Sequence, residues 1–476
     1  MIKYYNHFLI YYTLFIISIT SSNAQINTNN IEIIRDNYGV PHIFSKTDAE
    51  LAYGLAWAHA EDDFETIQKA YLAGNNLLSK LLGIKGAGAD FLTQFIGSDE
   101  LINDLYESKI SIEYKKILEA YSQGINRFAE LNPDKVLIKE LFPLNPKKLL
   151  KYAQLQLFVS SEGDYWINKI LKNDLKYQVV DQSNNLYSNE ETRGSNVFGF
   201  NSSRTKDGNT YLAINTHQPL DGPVSWYEAH LSSEEGTNIL GALFAGSPHV
   251  LIGANENIAW SHTVNRPDKT DVFALEMHPK FKNKYRVDDN YYDLEEYKAS
   301  IFIKILGIPI KIKRKYYKSI YGPTLKNNSG YYSIRTPSLF EIRAMEQWWR
   351  MGKAKNFTEF YNIIKKNSLP GYNIGYADKN DTIFYISNGL IPKRKDGYDW
   401  KNVVPGNTKK TLWTEMYKTE ELPQVIQPKS GYFYNANHSP FLSTSKNENP
   451  KKDSFSKNMG FETYDNNRST RLYKLI

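Results

Sequence analysis

Hydrophobic positions along the chain follow two periods, which divide it into a helical first third and a strand-rich remainder. From Ile31 to Ser45 (IEIIRDNYGVPHIFS) apolar and polar positions alternate and are interrupted by Gly39 and Pro41, which predicts a strand, a turn and a second strand. From Asp48 to about Leu82, Ala, Leu and aromatic residues recur at helical spacing through AYGLAWAHAEDDF, predicting a long helical region. Further helices are predicted over 98–130 and from Pro146 to about Leu175. Between about 179 and 194 the periodicity stops: VVDQSNNLYSNEETRG is polar, rich in Asn and Ser, and reads as an exposed, protease-accessible linker. After Gly194 the alternation returns as SNVFGFN and TYLAINT on either side of Lys206-Asp207-Gly208-Asn209, and Asp-Gly between alternating strands signals a hairpin. Strand-like runs rich in Tyr, Ile and Val continue to the end, broken by one helical insertion at 340–366, and no internal repeat is visible.

Composition narrows the class. A chain of 476 residues suits two domains or one large layered unit, and 41% hydrophobic with 23% charged residues is the profile of a protein that folds in water. The excess of 58 Lys and Arg over 52 Asp and Glu is spread along the whole length, so it reads as a solvated surface and not as a nucleic-acid-binding stripe. The absence of cysteine excludes disulfides, thiolate metal sites and a cysteine nucleophile. At the N-terminus, Lys3, the apolar run Phe8 to Ile19 and the small residues Ser22-Asn23-Ala24 form a signal-peptide pattern with cleavage expected after Ala24; a retained anchor is the alternative. Both place the body outside the cytoplasm, in the periplasm or secreted, with no stable membrane span in the mature part.

Candidate chemistry is restricted by what is missing. There is no G-x-S-x-G elbow and no H-E-x-x-H, and the three S-x-x-K matches beginning at Ser203, Ser443 and Ser454 lack the motifs that accompany that chemistry elsewhere. What remains is a linker ending in Gly194 and a strand opening at Ser195. Were the bond between them broken, Ser195 would carry both a hydroxyl nucleophile and an alpha-amine of pKa about 7.7–8.0, a base near neutral pH on the same residue. The residues alone leave open an ordinary Gly-Ser loop entering a strand.

The stretch RGSNVFGFNSSRTKDGNTYLAINTHQPL, with SWYEAHL, AGSPHVLIGANENIAWSHT and DKTDVFALE after it, resembles the penicillin acylase family, especially its acyl-homoserine-lactone and lipopeptide acylase branch. RDNYGVPHIFSKTDAELAYGLAWAHAEDDF is similar to that family's opening motif, and RAMEQWWRMGKAKNFTEF, LPGYNIGYADKNDTIFYISNG and SGYFYNANHSPF extend the likeness over nearly all of the expected mature chain. The resemblance implies an α+β fold of four layers, alpha-beta-beta-alpha, with antiparallel sheets at the centre. It implies a signal peptide over 1–24, a mainly helical alpha chain over 25–175, a spacer over 176–194 and a beta chain over 195–476, the two chains remaining together after self-cleavage between Gly194 and Ser195. The C-terminal extension usual in the family is expected to be lacking. The expected activity is hydrolysis of an N-acyl amide, an acyl-homoserine lactone or lipopeptide first and a phenylacetyl amide second, with no cofactor required; the alternative is a catalytically incomplete fragment that needs a separate C-terminal partner.

Carried over by position, the resemblance makes Ser195 the nucleophile, His217 the histidine beside its amine, Val264 N–H and the Asn437 amide the oxyanion donors, and Arg468 their support, with Arg471 a competitor. Asp268, the Thr270 carbonyl and Asp271 lie where the family places a structural calcium; a solvated acidic loop is the alternative. With Asp207-Gly208 as a two-residue turn, Ser195 is expected opposite about residue 220, leaving His217 about 10 Å away along the strand. Trp226, Tyr227, Trp260, Trp348 and Trp349 are candidates for an acyl pocket, and Gln218 stands where the branch commonly has an aromatic residue, placing a polar group against that pocket.

Overall fold

The computed structural model describes residues 26–176, 194–305 and 308–476; the expected signal segment and all but the ends of the expected spacer lie outside them. The first pairing is the one the alternation predicts, Glu32–Arg35 against Pro41–Ser45 in antiparallel register. The helix Asp48–Gly74 then starts in a capping box: Thr47 Oγ1 accepts from Glu50 N–H, and Thr47 N–H donates to the Glu50 carboxylate. The helix kinks at Asp63, whose backbone is not helical. Ser98–Lys109, Ile112–Leu131, Pro146–Ser160 and Gly163–Leu171 follow as expected, and Ile84–Phe95 forms an additional helix despite the glycines at 86 and 88.

Nine strands form the large sheet, in the spatial order Glu32–Arg35, Pro41–Ser45, Tyr227–Ser233, Asn238–Leu243, Ile252–Asn255, Ile258–Thr263, Asn373–Asp378, Ile383–Ser387 and Gln424–Ile426. One face carries the helices Asp48–Gly74 and Ile112–Leu131, together with Ala344–Lys353 and Phe357–Ile364, into which the predicted insertion at 340–366 divides. Against the other face packs a three-stranded sheet, Tyr432–Asn435, Ser195–Phe200 and Tyr211–Thr216. Because both faces are covered, Asn373–Asp378 and Ile383–Ser387 are buried at every position. The layers helix, sheet, sheet are thus present, and the outer face of the small sheet meets one helix, Asn467–Leu475, among the described residues. A six-stranded sheet that includes Asp271–Ala274 and Tyr331–Arg335 packs with the helices Ile84–Phe95 and Gly163–Leu171 around its own core.

The two central sheets meet closely at Gly375, where an added Cβ would lie 2.6 Å from Val197 Cγ2 and 3.0 Å from the Phe433 ring. Gly375→Ala is expected to lower stability by about 1–3 kcal/mol through overpacking. Chemical unfolding of this variant and of Gly375→Ala/Val197→Ala checks the cause, since the second change should recover part of the loss.

Candidate active site

Ser195 is buried at the start of its strand and opposes Thr216, so His217 lies opposite Gly194, and His217 N–H donates to Gly194 O at 3.1 Å. The expected pairing near residue 220 is therefore wrong. The hairpin closes through residues 201–210 and not through a two-residue turn, because Asp381 holds both ends of that loop. It accepts from Ser202 N–H and Ser202 Oγ, each at 2.6 Å, and from Thr210 Oγ1 at 2.7 Å. Asp207 caps a local turn by accepting from Asn209 N–H, and its carboxylate also accepts from Asn209 Nδ2 and Tyr211 Oη.

With Gly194 and Ser195 still joined, Ser195 Oγ donates to Gly194 O at 2.7 Å and Ser195 N–H donates to Asn437 Oδ1 at 2.6 Å. The same Asn437 oxygen accepts from Arg468 Nη2 at 2.9 Å, while Asn437 Nδ2 donates to Val264 O at 2.8 Å. Arg468 Nη1 donates to Ser195 O at 2.8 Å and to Asn196 Oδ1 at 2.7 Å. Burial pulls the Arg468 guanidinium below its usual range, and no carboxylate forms an ion pair with it among the described residues. Arg471, on the exposed side of the same helix, plays no part in this set. Val264 N–H makes no hydrogen bond among the described residues, which leaves it a free donor at the end of its strand.

His217 Nε2 lies 2.9 Å from Asn215 Oδ1, and Asn196 Nδ2 also donates to that oxygen. With Nε2–H donating there, Nδ1 is left as an acceptor on the Gly194 side. Gly194 has little room: a Cβ on it would stand 2.8 Å from Arg468 Nη2 and 3.1 Å from His217 Nδ1. Any larger residue would push the guanidinium or the imidazole away.

Behind Asn437 lies a buried polar network that sequence reasoning missed. Asn435 Oδ1 accepts from Thr263 Oγ1 at 2.6 Å, from Asn373 Nδ2 at 3.2 Å and from Asn437 N–H at 2.9 Å; Tyr385 Oη donates to Asn373 Oδ1 at 2.9 Å. These bonds fix a turn in which Asn437 adopts φ 62°, a left-handed conformation that Asn tolerates better than most residues. The available signal was an asparagine in each of two strands, Asn373–Asp378 and Tyr432–Asn435, whose neighbours are apolar or small.

A cavity of about 420 Å³ reaches Val264 and is walled by Leu149, Leu157, Phe244, Leu251, Met345 and Trp348, with Gln218 and Lys269 among its few polar groups. Of the five candidate aromatics only Trp348 lines it. Trp226 stacks behind Phe244 at 4.3 Å, Trp260 is a core residue, Tyr227 stacks on His59, and Trp349 lies beside Tyr114. Trp348 Nε1 donates to His262 Nε2 at 2.8 Å, and burial pushes that imidazole down to about 4, so it stays neutral and able to accept. Ser203 Oγ donates to Asn201 Oδ1 at 2.7 Å, and it makes no hydrogen bond with Lys206 among the described residues.

The calcium expected at Asp268, Thr270 and Asp271 meets a different arrangement. Arg394 is fully buried between the two carboxylates, with Nε 2.9 Å from Asp271 Oδ2 and Nη2 3.2 Å from Asp268 Oδ1, while Thr270 Oγ1 donates to Ser161 O. No cluster of three or more His, Asp or Glu suited to a metal occurs among the described residues. These residues, as they stand, do not fit the ion.

Two packed, mainly antiparallel sheets, the larger with one parallel pairing between Pro41–Ser45 and Tyr227–Ser233, and a serine opening the central strand of the smaller one define the fold of the N-terminal-nucleophile hydrolases. Residues 30–476 match the penicillin amidase family, and the chain belongs to it. Its relatives include acyl-homoserine lactone acylase PvdQ of Pseudomonas fluorescens (strain Pf0-1), 23% identical over 394 aligned positions that cover 76% of this chain and 50% of the relative. Penicillin G acylase of Escherichia coli is 22% identical over 520 aligned positions, gaps included, that cover 88% of this chain and 60% of that protein. Among solved structures, a thermostable penicillin G acylase from Alcaligenes faecalis shares the fold, with TM-score 0.50 and 23% identity over 59% of this chain and 49% of that one. The chain spans about half the length of the PvdQ relatives it matches.

Asn435→Leu is expected to leave Thr263, Asn373 and the Asn437 N–H without their acceptor and to cost at least about 2 kcal/mol. Urea unfolding measures the loss, which a control at an exposed position such as Asn447→Ala should not approach.

Proposed function

We propose that this protein is an exported, self-processing amidohydrolase that cleaves N-acyl amides through an acyl-enzyme on Ser195, with acyl-homoserine lactones or lipopeptides as the leading substrates. The observation that carries the reading is the convergence on Ser195. Its hydroxyl lies against the Gly194 carbonyl, its N–H is held by Asn437, and Arg468 bonds both. In the first reaction Oγ attacks the Gly194 carbonyl carbon, the C–N bond breaks, and the ester that forms is hydrolysed by water to give a free Ser195 amine and a Gly194 carboxylate. In turnover, that amine takes the hydroxyl proton as Oγ adds to the substrate amide, and returns it to the leaving amine. Val264 N–H and the second N–H of Asn437 Nδ2 serve the oxyanion; such donors contribute most where they are already oriented. Water then releases the acyl group. His217 Nδ1 orients the amine, and the apolar cavity at Val264 takes the acyl chain, which favours alkyl over phenylacetyl groups. PvdQ, named for acyl-homoserine lactones, supports the same preference.

The sparsely covered outer face of the small sheet favours a second reading, in which the chain becomes active only with further polypeptide packed there. It is lined by Phe198, Phe200, Leu472 and Leu475.

Intact mass decides processing. Wild-type protein should give two fragments, one beginning at Ser195, and Ser195→Ala a single chain; an uncleaved wild type would sink self-processing for this chain alone. Where cleavage occurs, Gln218→Leu should raise kcat/KM for long-chain acyl-homoserine lactones by a few-fold, since a half-buried amide set against an apolar chain loses part of its hydration, at a cost of about 1 kcal/mol.

A further inference from the structure

The connection from the large-sheet strand Ile258–Thr263 to Asp271–Ala274 carries Val264, Lys269 and both carboxylates of the Asp268–Asp271 pair. A chain leaving one sheet for another with two buried acids in it needs a compensating cation. Arg394 supplies one. Its Nη1 donates to Asp268 O at 2.8 Å and to Asn458 O at 2.7 Å, in addition to the carboxylate bonds from Nε and Nη2. Two carboxylates and two carbonyls therefore converge on a single guanidinium. This is the oxygen chemistry that suits calcium, which takes six to eight such ligands, met here by a cation that is part of the chain. The side chains of Arg394 and Asp271 are 0% exposed and that of Asp268 is 18% exposed.

The surroundings agree with a cage built around a fixed cation. Trp413 Nε1 donates to Asp271 Oδ2 at 2.6 Å, so that oxygen has two donors. Asp268 N–H donates to Met459 O at 3.2 Å, tying the segment that supplies the Asn458 carbonyl. Burial pushes the Asp268 and Asp271 carboxyls up, with Glu162 adding to this at Asp268, and would pull the Arg394 guanidinium down; the attraction between them opposes both effects and holds Arg394 above its ordinary range. One atom is left over: Asp271 Oδ1 is buried without a partner among the described residues. It is the buried carboxylate oxygen of the pair left open to an entering metal ion.

We infer that Arg394 is the built-in cation of an oxygen cage, taking the place of a dissociable structural calcium and clamping the connection that carries Val264 to the six-stranded sheet. The inference is independent of the proposed reaction, because each of its tests reads stability or ion binding.

Wild-type protein should melt at the same temperature in excess EGTA and in millimolar calcium, and should show no terbium emission sensitised by the adjacent Trp413. Arg394→Ala should melt several degrees lower, regain part of that loss in calcium, and bind terbium with sensitised emission that Arg394→Ala/Asp271→Asn loses. A wild-type melting temperature that falls in EGTA, or wild-type terbium emission abolished by Asp271→Asn, would overturn the inference. So would an Arg394→Ala protein as stable as wild type or indifferent to calcium. If Arg394→Ala does not fold, the wild-type chelation and terbium measurements still test the inference. Arg394→Lys then serves as the second variant; it keeps the charge but loses the fork, and should fold with a lower melting temperature that calcium does not change.

Discussion

The side-chain amide of Asn437 joins three segments that are far apart in the sequence. Its oxygen accepts from Ser195 N–H and from Arg468, and its nitrogen donates to Val264 O. An amide can do this because it carries an acceptor and two donors on one rigid plane; a carboxylate could not donate to the carbonyl, and an ammonium could not accept from Ser195. Every larger feature of the fold that brings strand Ser195–Phe200, the end of Ile258–Thr263 and the helix Asn467–Leu475 to one point serves this contact.

The contact depends in turn on how closely the sheets approach. The inner face of the small sheet presents Val197 and Phe433 to Ala377, Ile383, Tyr385 and Val425, and this apolar layer sets the spacing. At the end of the layer nearest Ser195 the packing turns polar, with Asn373, Asn435, Thr263 and Tyr385 bonded to one another. Polar groups at that depth are tolerable because they are satisfied, and a satisfied network has fewer alternative arrangements than an apolar contact. The fixed geometry is passed to Asn437 through its own N–H.

The sequence made the elements legible and left their pairing obscure. Hydrophobic period identified the first hairpin, most of the helices and the two strands flanking Asp207-Gly208. It could not give the register of those strands, because Asp381, distant in the chain, decides where the loop begins and ends. Ser195 stood out as a candidate at the end of the linker, but Asn437 and Arg468 were legible by resemblance alone, since nothing in local composition separates Asn437 from an asparagine in a turn. Arg394 was hidden more thoroughly. It sits in the run Lys393-Arg394-Lys395, which reads as a solvated basic patch, and only the tertiary approach of Asp268 and Asp271 shows that its middle residue points inward.

The two arginines differ in a way that bears on what each can do. Arg394 faces two carboxylates, so its field is largely cancelled a few ångströms away, and its effect is to hold segments together. Arg468 bonds only neutral oxygens, those of Ser195, Asn196 and Asn437, and no carboxylate pairs with it among the described residues. A guanidinium remains protonated at any working pH, so this charge is not extinguished by its partners and acts on whatever negative charge develops at Ser195. Partial burial strengthens that action by lowering the local dielectric. Placing an uncompensated cation there disfavours the resting state slightly and favours any state with an oxyanion beside it, which is the differential stabilisation that acyl transfer requires.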